Sequence, residues 1–146
     1  MKWSEQLGPK LQTKDGLQDT DSKLAGKKVV GFYFSAHWCP PCRQFTPYLS
    51  ALYEDIVEQH PDFEIIYVSS DRDPSQYDEY YKEMTFLALP FDEREINKAL
   101  STKFGVTGIP MLVFVDGENK LITVDGRNIA ANSRGDVEKV WEQLTK

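Results

Sequence analysis

The chain has 146 residues, carries 17 Lys+Arg against 23 Asp+Glu for a formal charge of −6, and is 40% hydrophobic and 27% charged. A domain of this size buries roughly 68–70% of its unfolded surface, so it folds without metal or disulfide staples. The acidic balance, with no run of five or more basic residues, argues against nucleic acid as the main partner. No apolar stretch approaches the roughly 20 residues of a membrane span, and Met1-Lys2-Trp3-Ser4-Glu5-Gln6 lacks the apolar core of a secretory signal, so a soluble intracellular protein away from membranes is expected.

In chain order, the first 27 residues are polar, and Leu11-Gln12-Thr13-Lys14 and Leu17-Gln18-Asp19-Thr20 flank Asp15-Gly16, a dipeptide suited to the tight turn of an edge hairpin. Val29-Val30-Gly31-Phe32-Tyr33-Phe34 reads as a strand buried on both faces. It ends at a cysteine motif whose Pro40 and Pro41 suit the first turn of a helix, where amide hydrogens lack intrahelical partners anyway. Phe45, Tyr48, Leu49, Leu52, Tyr53, Ile56 and Val57 form the apolar stripe of that helix, which should stop near His60-Pro61. Phe63–Ser69 reads as a second strand, Ser70–Pro74 as a loop, Ser75–Glu83 as a helix, and the stretch around Pro90 as a connector. Ile96, Ala99, Leu100 and Phe104 mark a helix stopped by Gly105, and Met111–Val115 a third buried strand. Asp116–Asn119 turns the chain into Leu121–Val124, and Val137, Val140, Trp141 and Leu144 close it with a helix. Helical crossovers favour parallel strands and the four-residue turn an antiparallel pair, so the expected architecture is a single α/β domain over 1–146, a mixed central sheet with helices on both faces and residues 1–27 as an N-terminal hairpin extension.

The two cysteines, Cys39 and Cys42, stand three positions apart and close almost no loop, which points to chemistry rather than to a staple. A thiol attacks only as thiolate, and a helix N-terminus lowers a cysteine's pKa from about 8.5 to roughly 3.5–7.5. Cys39 is the expected nucleophile, and Cys42, one turn on and on the same face, the expected resolving thiol. A pair of inert buried thiols is the bland alternative. Zinc is another, although His37 and His60 are the only further good ligands and His60 lies about five turns down the helix. His60 is expected to be a helix-end residue, and His37 a solvated histidine that would support the thiolate only if protonated.

The string Tyr33-Phe34-Ser35-Ala36-His37-Trp38-Cys39-Pro40-Pro41-Cys42-Arg43, with Gly108-Ile109-Pro110 before a late strand, resembles the thioredoxin superfamily. Phe63–Ser69 and Leu87-Ala88-Leu89-Pro90-Phe91 narrow the resemblance to its nucleoredoxin and tryparedoxin branch, over about Leu24 to Arg127. The resemblance implies a thioredoxin-like fold, a cis peptide bond at Pro110 facing Cys39, substrate docking along Ile109, and Trp38 flanking the site. It also implies partner contacts on a rim that holds Asp71, Arg72, Asp73 and Arg127. Thioredoxins carry a buried aspartate six residues before the first cysteine, where this chain has Tyr33, a phenol that stays neutral at pH 7. Tryparedoxins usually have a tryptophan where this chain has Ser70.

The implied function is thiol–disulfide exchange on protein substrates through Cys39 and Cys42, with Trp38, Pro40, Pro41 and Tyr33 supporting the site. An external thiol or dithiol would supply electrons, no bound cofactor or metal is expected, and the protein would act as a monomer in the cytoplasm, with the nucleus as a second compartment. Two rivals stand beside this: a tryparedoxin-like carrier from a low-molecular-weight dithiol to a peroxiredoxin, and a redox-sensing module that binds proteins without turnover.

Overall fold

The computed structural model describes residues 3–145. Its elements run α1 (Trp3–Leu7), β1 (Lys10–Thr13), β2 (Gly16–Asp19), α2 (Thr20–Leu24), β3 (Val29–Ser35), α3 (Pro40–Gln59), β4 (Phe63–Ser69), α4 (Pro74–Tyr81), β5 (Leu87–Ala88), α5 (Arg94–Lys103), β6 (Met111–Asp116), β7 (Leu121–Thr123), α6 (Gly126–Asn132) and α7 (Val137–Leu144). The strands form one mixed seven-stranded sheet in the order β2-β1-β5-β4-β3-β6-β7. β3 pairs parallel with β4 across the helical crossover and antiparallel with β6, and the late turn makes β6 and β7 antiparallel neighbours.

Every residue of β3 is buried, and its side chains alternate between two cores. Val29 and Tyr33 face a core built with α3, α4, α6 and α7, whereas Val30, Phe32 and Phe34 face one built with α1, α2 and α5. The near-continuous apolar run is therefore a strand sandwiched by helices, and the site lies where β3 runs into α3.

Four details depart from the sequence expectations. The hairpin turns on Lys14-Asp15, one residue early: Gly16, at φ +101°, pairs with Thr13, whose hydroxyl accepts from the Asp15 amide and donates to the Gly16 carbonyl. The polar N-terminal segment also holds α1 and α2, each five residues long and anchored by Trp3, Leu7 and Leu24. Leu87-Ala88, within the expected connector, is a strand that joins the hairpin to the main sheet through Gln12↔Ala88 and Ile66↔Leu87. Residues 126–132, unassigned from the sequence, form α6 against β6, where only Ile129 and Ala130 pack inward among apolar side chains.

At the end of the sheet far from the cysteines, Glu64 is 5% exposed, accepting from the Tyr53 hydroxyl at 2.6 Å and the Ile65 amide at 3.0 Å, with Lys27 Nζ 3.9 Å away. Burial pushes its carboxyl above the usual value of 4.5, against the pull of those hydrogen bonds. The folded state thus holds the Glu64 proton to higher pH than the unfolded state, and stability falls as pH rises from about the ordinary glutamate value through the folded one. Glu64→Gln keeps the acceptor and removes the ionisation. Thermal melts from pH 4.5 to 7 should show the variant gaining on the wild-type chain as pH rises, and a constant gap would refute this.

Candidate active site

Cys39 is the N-cap of α3, in extended conformation at φ −99° and ψ 108°. Its Sγ accepts from the Cys42 amide at 3.3 Å, and Pro40 and Pro41 fill the first two helical positions without adding unpaired N–H groups. One turn on, Cys42 is fully buried while Cys39 keeps 5% exposure, and the two form a disulfide with their Cα atoms 5.2 Å apart. The helix end that would stabilise a Cys39 thiolate after reduction is thus built into the local sequence. The helix runs through Pro47 and ends at His60, whose ring stacks on Trp141 at 4.1 Å and whose Nε2 meets Glu138 at 2.9 Å.

Facing the disulfide, the Ile109–Pro110 bond is cis, and the Ile109 carbonyl oxygen lies 3.9 Å from Cys39 Sγ. Trp38 is 42% exposed, donates from Nε1 to the Ser70 carbonyl at 2.9 Å, and carries the Arg72 guanidinium 4.9 Å from its ring centre. Arg127 is exposed on α6 and lines a cavity of about 360 Å³ with Pro41, Gln44, Phe45, Tyr48 and Ala131. The structure therefore brings Trp38, Arg72, Ile109, Pro110 and Arg127 around the cysteine motif from four separate elements and loops.

Tyr33 lies beneath Cys42 rather than at the surface. Its hydroxyl is 2.8 Å from Thr46 Oγ1 and donates to the Cys42 carbonyl at 3.4 Å, while Thr46 donates to the same carbonyl at 2.9 Å. Tyr80 extends this cluster, 2.5 Å from Thr46 Oγ1 and 2.8 Å from Ser35 Oγ. Burial holds the Tyr33 phenol above its ordinary value, so the group at this position is a neutral hydroxyl at physiological pH. Thr46 and Tyr80 carry no motif of their own, and Ser35, although inside the cysteine string, was not singled out by the sequence. Their one signal was spacing: Thr46 follows Cys42 by four residues and so shares its helix face.

Two placements differ from expectation. Asp71 is 4% exposed rather than on an open rim, because residues 37, 67 and 69 surround its carboxylate with donors. Asp73 remains exposed and caps α4 through the Gln76 amide. His37 is half-buried, its ring 5.8 Å from that of Tyr80, rather than fully solvated. Among the described residues no group of three or more His, Cys, Asp or Glu could hold a metal ion, and no helix is long and apolar enough to cross a membrane.

The model of a family described as thioredoxin-like matches residues 26–121, roughly two thirds of the chain, including both cysteines and the cis proline. The chain belongs to the thioredoxin-like family. Within it, the chain is 42% identical over 133 residues to the probable nucleoredoxin 1 of Arabidopsis thaliana, covering 91% of this chain and 23% of that protein. It is 40% identical over 134 residues to the nucleoredoxin of Mus musculus, covering 92% of this chain and 30% of that one. Native tryparedoxin I from Crithidia fasciculata superposes with a TM-score of 0.83 at 36% identity, over 90% of this chain and 92% of that one. The chain thus spans less than a third of the length of these curated nucleoredoxins and nearly all of the tryparedoxin. It is a thioredoxin-like oxidoreductase domain related to both, with its Cys-x-x-Cys pair at the start of α3.

Proposed function

We propose that this chain reduces protein disulfides by dithiol–disulfide exchange, with Cys39 as nucleophile and Cys42 as resolving thiol. The observation that carries the reading is the oxidised pair itself, with Cys39 at the N-cap of α3 and facing the Ile109 carbonyl. In the reduced protein the Cys39 thiolate attacks one sulfur of the substrate disulfide, forming a mixed disulfide and expelling the other substrate sulfur as a thiolate. Cys42, deprotonated, then attacks Cys39 Sγ, which breaks the mixed disulfide, frees the second substrate sulfur and closes the Cys39–Cys42 bond. The substrate gains two electrons and two protons, and an external thiol or dithiol restores the pair. Because Tyr33 is neutral, the Cys42 proton goes to water or to the departing substrate thiolate.

Trp38 adjoins Cys39 in the chain, the cis Ile109–Pro110 bond lies opposite, and the edge at Ile109 offers a backbone carbonyl to an extended substrate segment. Arg72 and Arg127 stand at the outer margin, where they would meet acidic groups of a protein partner. The setting that suits a catalytic disulfide cycling through its reduced form is the cytoplasm, with the nucleus as a second compartment. The correspondence with tryparedoxin over nearly its whole length favours a second reading, in which a low-molecular-weight dithiol is the donor and a peroxiredoxin the acceptor.

The test is reduction of insulin disulfides by dithiothreitol with and without the chain, alongside the pH profile of Cys39 alkylation. Catalysed turnover, with alkylation at lower pH than an ordinary cysteine, is expected. A chain that binds partners without accelerating reduction is a sensing module instead. Faster peroxide consumption with a peroxiredoxin than reduction of insulin would select the carrier reading.

A further inference from the structure

Asp71 sits in a run of polar loop residues yet is buried, and no cation of the described residues forms an ion pair with it. Arg94 of α5 feels its charge from farther away. A carboxylate taken out of water without an adjacent countercharge is unfavourable unless hydrogen bonds replace its solvation. Here the His37 amide donates to Oδ1 at 2.6 Å, and Ser69 Oγ, at 2.6 Å, and the Tyr67 hydroxyl donate to Oδ2. Burial, and then the carboxylate itself, push the Tyr67 phenol above its ordinary value, which keeps its proton aimed at Asp71. The neighbours of Asp71 repeat the pattern. The Ser70 amide donates to the Ser35 carbonyl at 2.9 Å, and Ser70 accepts from Trp38 Nε1 at 2.9 Å.

Tyr67 and Ser69 hold Asp71 from β4, and the links that residues 70–71 make across to the neighbouring segment end at Ser35, His37 and Trp38, all within four residues of Cys39. The end of β4 is therefore a splint for the loop that leads from β3 to the nucleophile, and the Asp71 bond is the one that grips that loop's backbone from a side chain. Bonds to a carboxylate are shorter and stronger than those between neutral groups, so Asp71 holds the His37 amide more firmly than an asparagine or serine would. We propose that Asp71 is a positioning residue for the nucleophile: by holding the His37 amide it fixes the loop that seats Cys39 Sγ over the first turn of α3. The inference deepens the reductase reading above and rests on it for the turnover assay alone.

The test compares wild type, Asp71→Ala and Asp71→Asn in two measurements: dithiothreitol-driven insulin reduction, and the pH profile of Cys39 alkylation by iodoacetamide in a Cys42→Ser background, where one thiol reacts. A loosened loop seats Sγ less well over the helix end. Asp71→Ala should therefore lose about tenfold in turnover and shift the alkylation midpoint upward, and Asp71→Asn, which retains an acceptor for the His37 amide, should recover most of both. Turnover within about twofold of wild type, or a midpoint that is unchanged, overturns the proposal. So does a downward shift, the result if Asp71 acted through its charge instead of through His37. If Asp71→Ala fails to fold, Ser69→Ala takes its place, deleting one donor to Oδ2 and the acceptor of the Asp71 amide at 2.9 Å, with a smaller upward shift expected and no shift counting against the proposal. A wild-type chain that does not reduce insulin defeats the reductase reading and leaves the alkylation profile to judge Asp71 alone.

Discussion

Cys42→Ser stops turnover and leaves the substrate covalently attached to Cys39. Serine occupies nearly the same volume in a fully buried position and keeps the backbone carbonyl that Thr46 and Tyr33 hold, so the fold and the first attack survive. What is lost is the second displacement: a hydroxyl at this position is not ionised at neutral pH and cannot expel a thiolate from a disulfide. Steady-state insulin reduction should fall on the order of 10²-fold or more, while a single-turnover experiment on non-reducing gels shows the mixed disulfide accumulate. Cys39→Ser should abolish both signals. Equal residual turnover in the two single variants would mean that either thiol can begin the reaction, and the assignment of roles would fall.

Phe114→Ala is the stability counterpart. Phe114 is 1% exposed on β6, its ring 5.8 Å from that of Phe63, in the core shared by α3, α6 and α7. Two glycines make room for it: a Cβ at Gly31 of β3 would stand 2.7 Å from the ring, and one at Gly126, where α6 begins, also 2.7 Å. Removing the ring leaves a cavity between two positions that have no side chain with which to fill it, so relaxation is poor and the loss is about 3–5 kcal/mol. Against a total stability of about 5–15 kcal/mol, that is enough to lower the denaturation midpoint sharply. Urea unfolding followed by circular dichroism checks this, with the slope unchanged. Because α6 rests on this ring and carries Arg127, the cavity beside Pro41 should loosen as well. Gly126→Ala, which overpacks the same contact, should lose about 1–3 kcal/mol. A loss below about 1 kcal/mol for Phe114→Ala would show that the core closes over the gap.

The readable parts of the fold share one property: their signal is longer than the noise. β3, β4 and β6 are runs of six or seven mostly apolar residues, and α3 and α7 show repeated three- and four-residue spacing. β5 has two residues and α6 seven, with Gly126, Ile129 and Ala130 facing inward over less than two turns, so neither can express a period. Their existence comes from partners: β5 is a strand because Gln12 and Ile66 lie on either side of it. The site divides in the same way. Cys39, Pro40, Pro41 and Cys42 form one contiguous segment at a strand-to-helix junction, whose N-cap and first-turn preferences are local.

Asp71 shows the limit most clearly. In Ser70-Asp71-Arg72-Asp73 a carboxylate looks solvated, and its donors come from residue 37 on another loop and residues 67 and 69 on β4. Local amino-acid preferences and periodicity set where the Cys-Pro-Pro-Cys motif stands, which helix it opens and which strands surround it, because those preferences act over a few bonds. That Asp71 is buried against His37, that Tyr80 joins the hydroxyls under Cys42 and that Arg127 borders Pro41 were decided only when the fold brought distant segments into contact, since hydrogen bonding and burial depend on neighbours in space rather than in the chain.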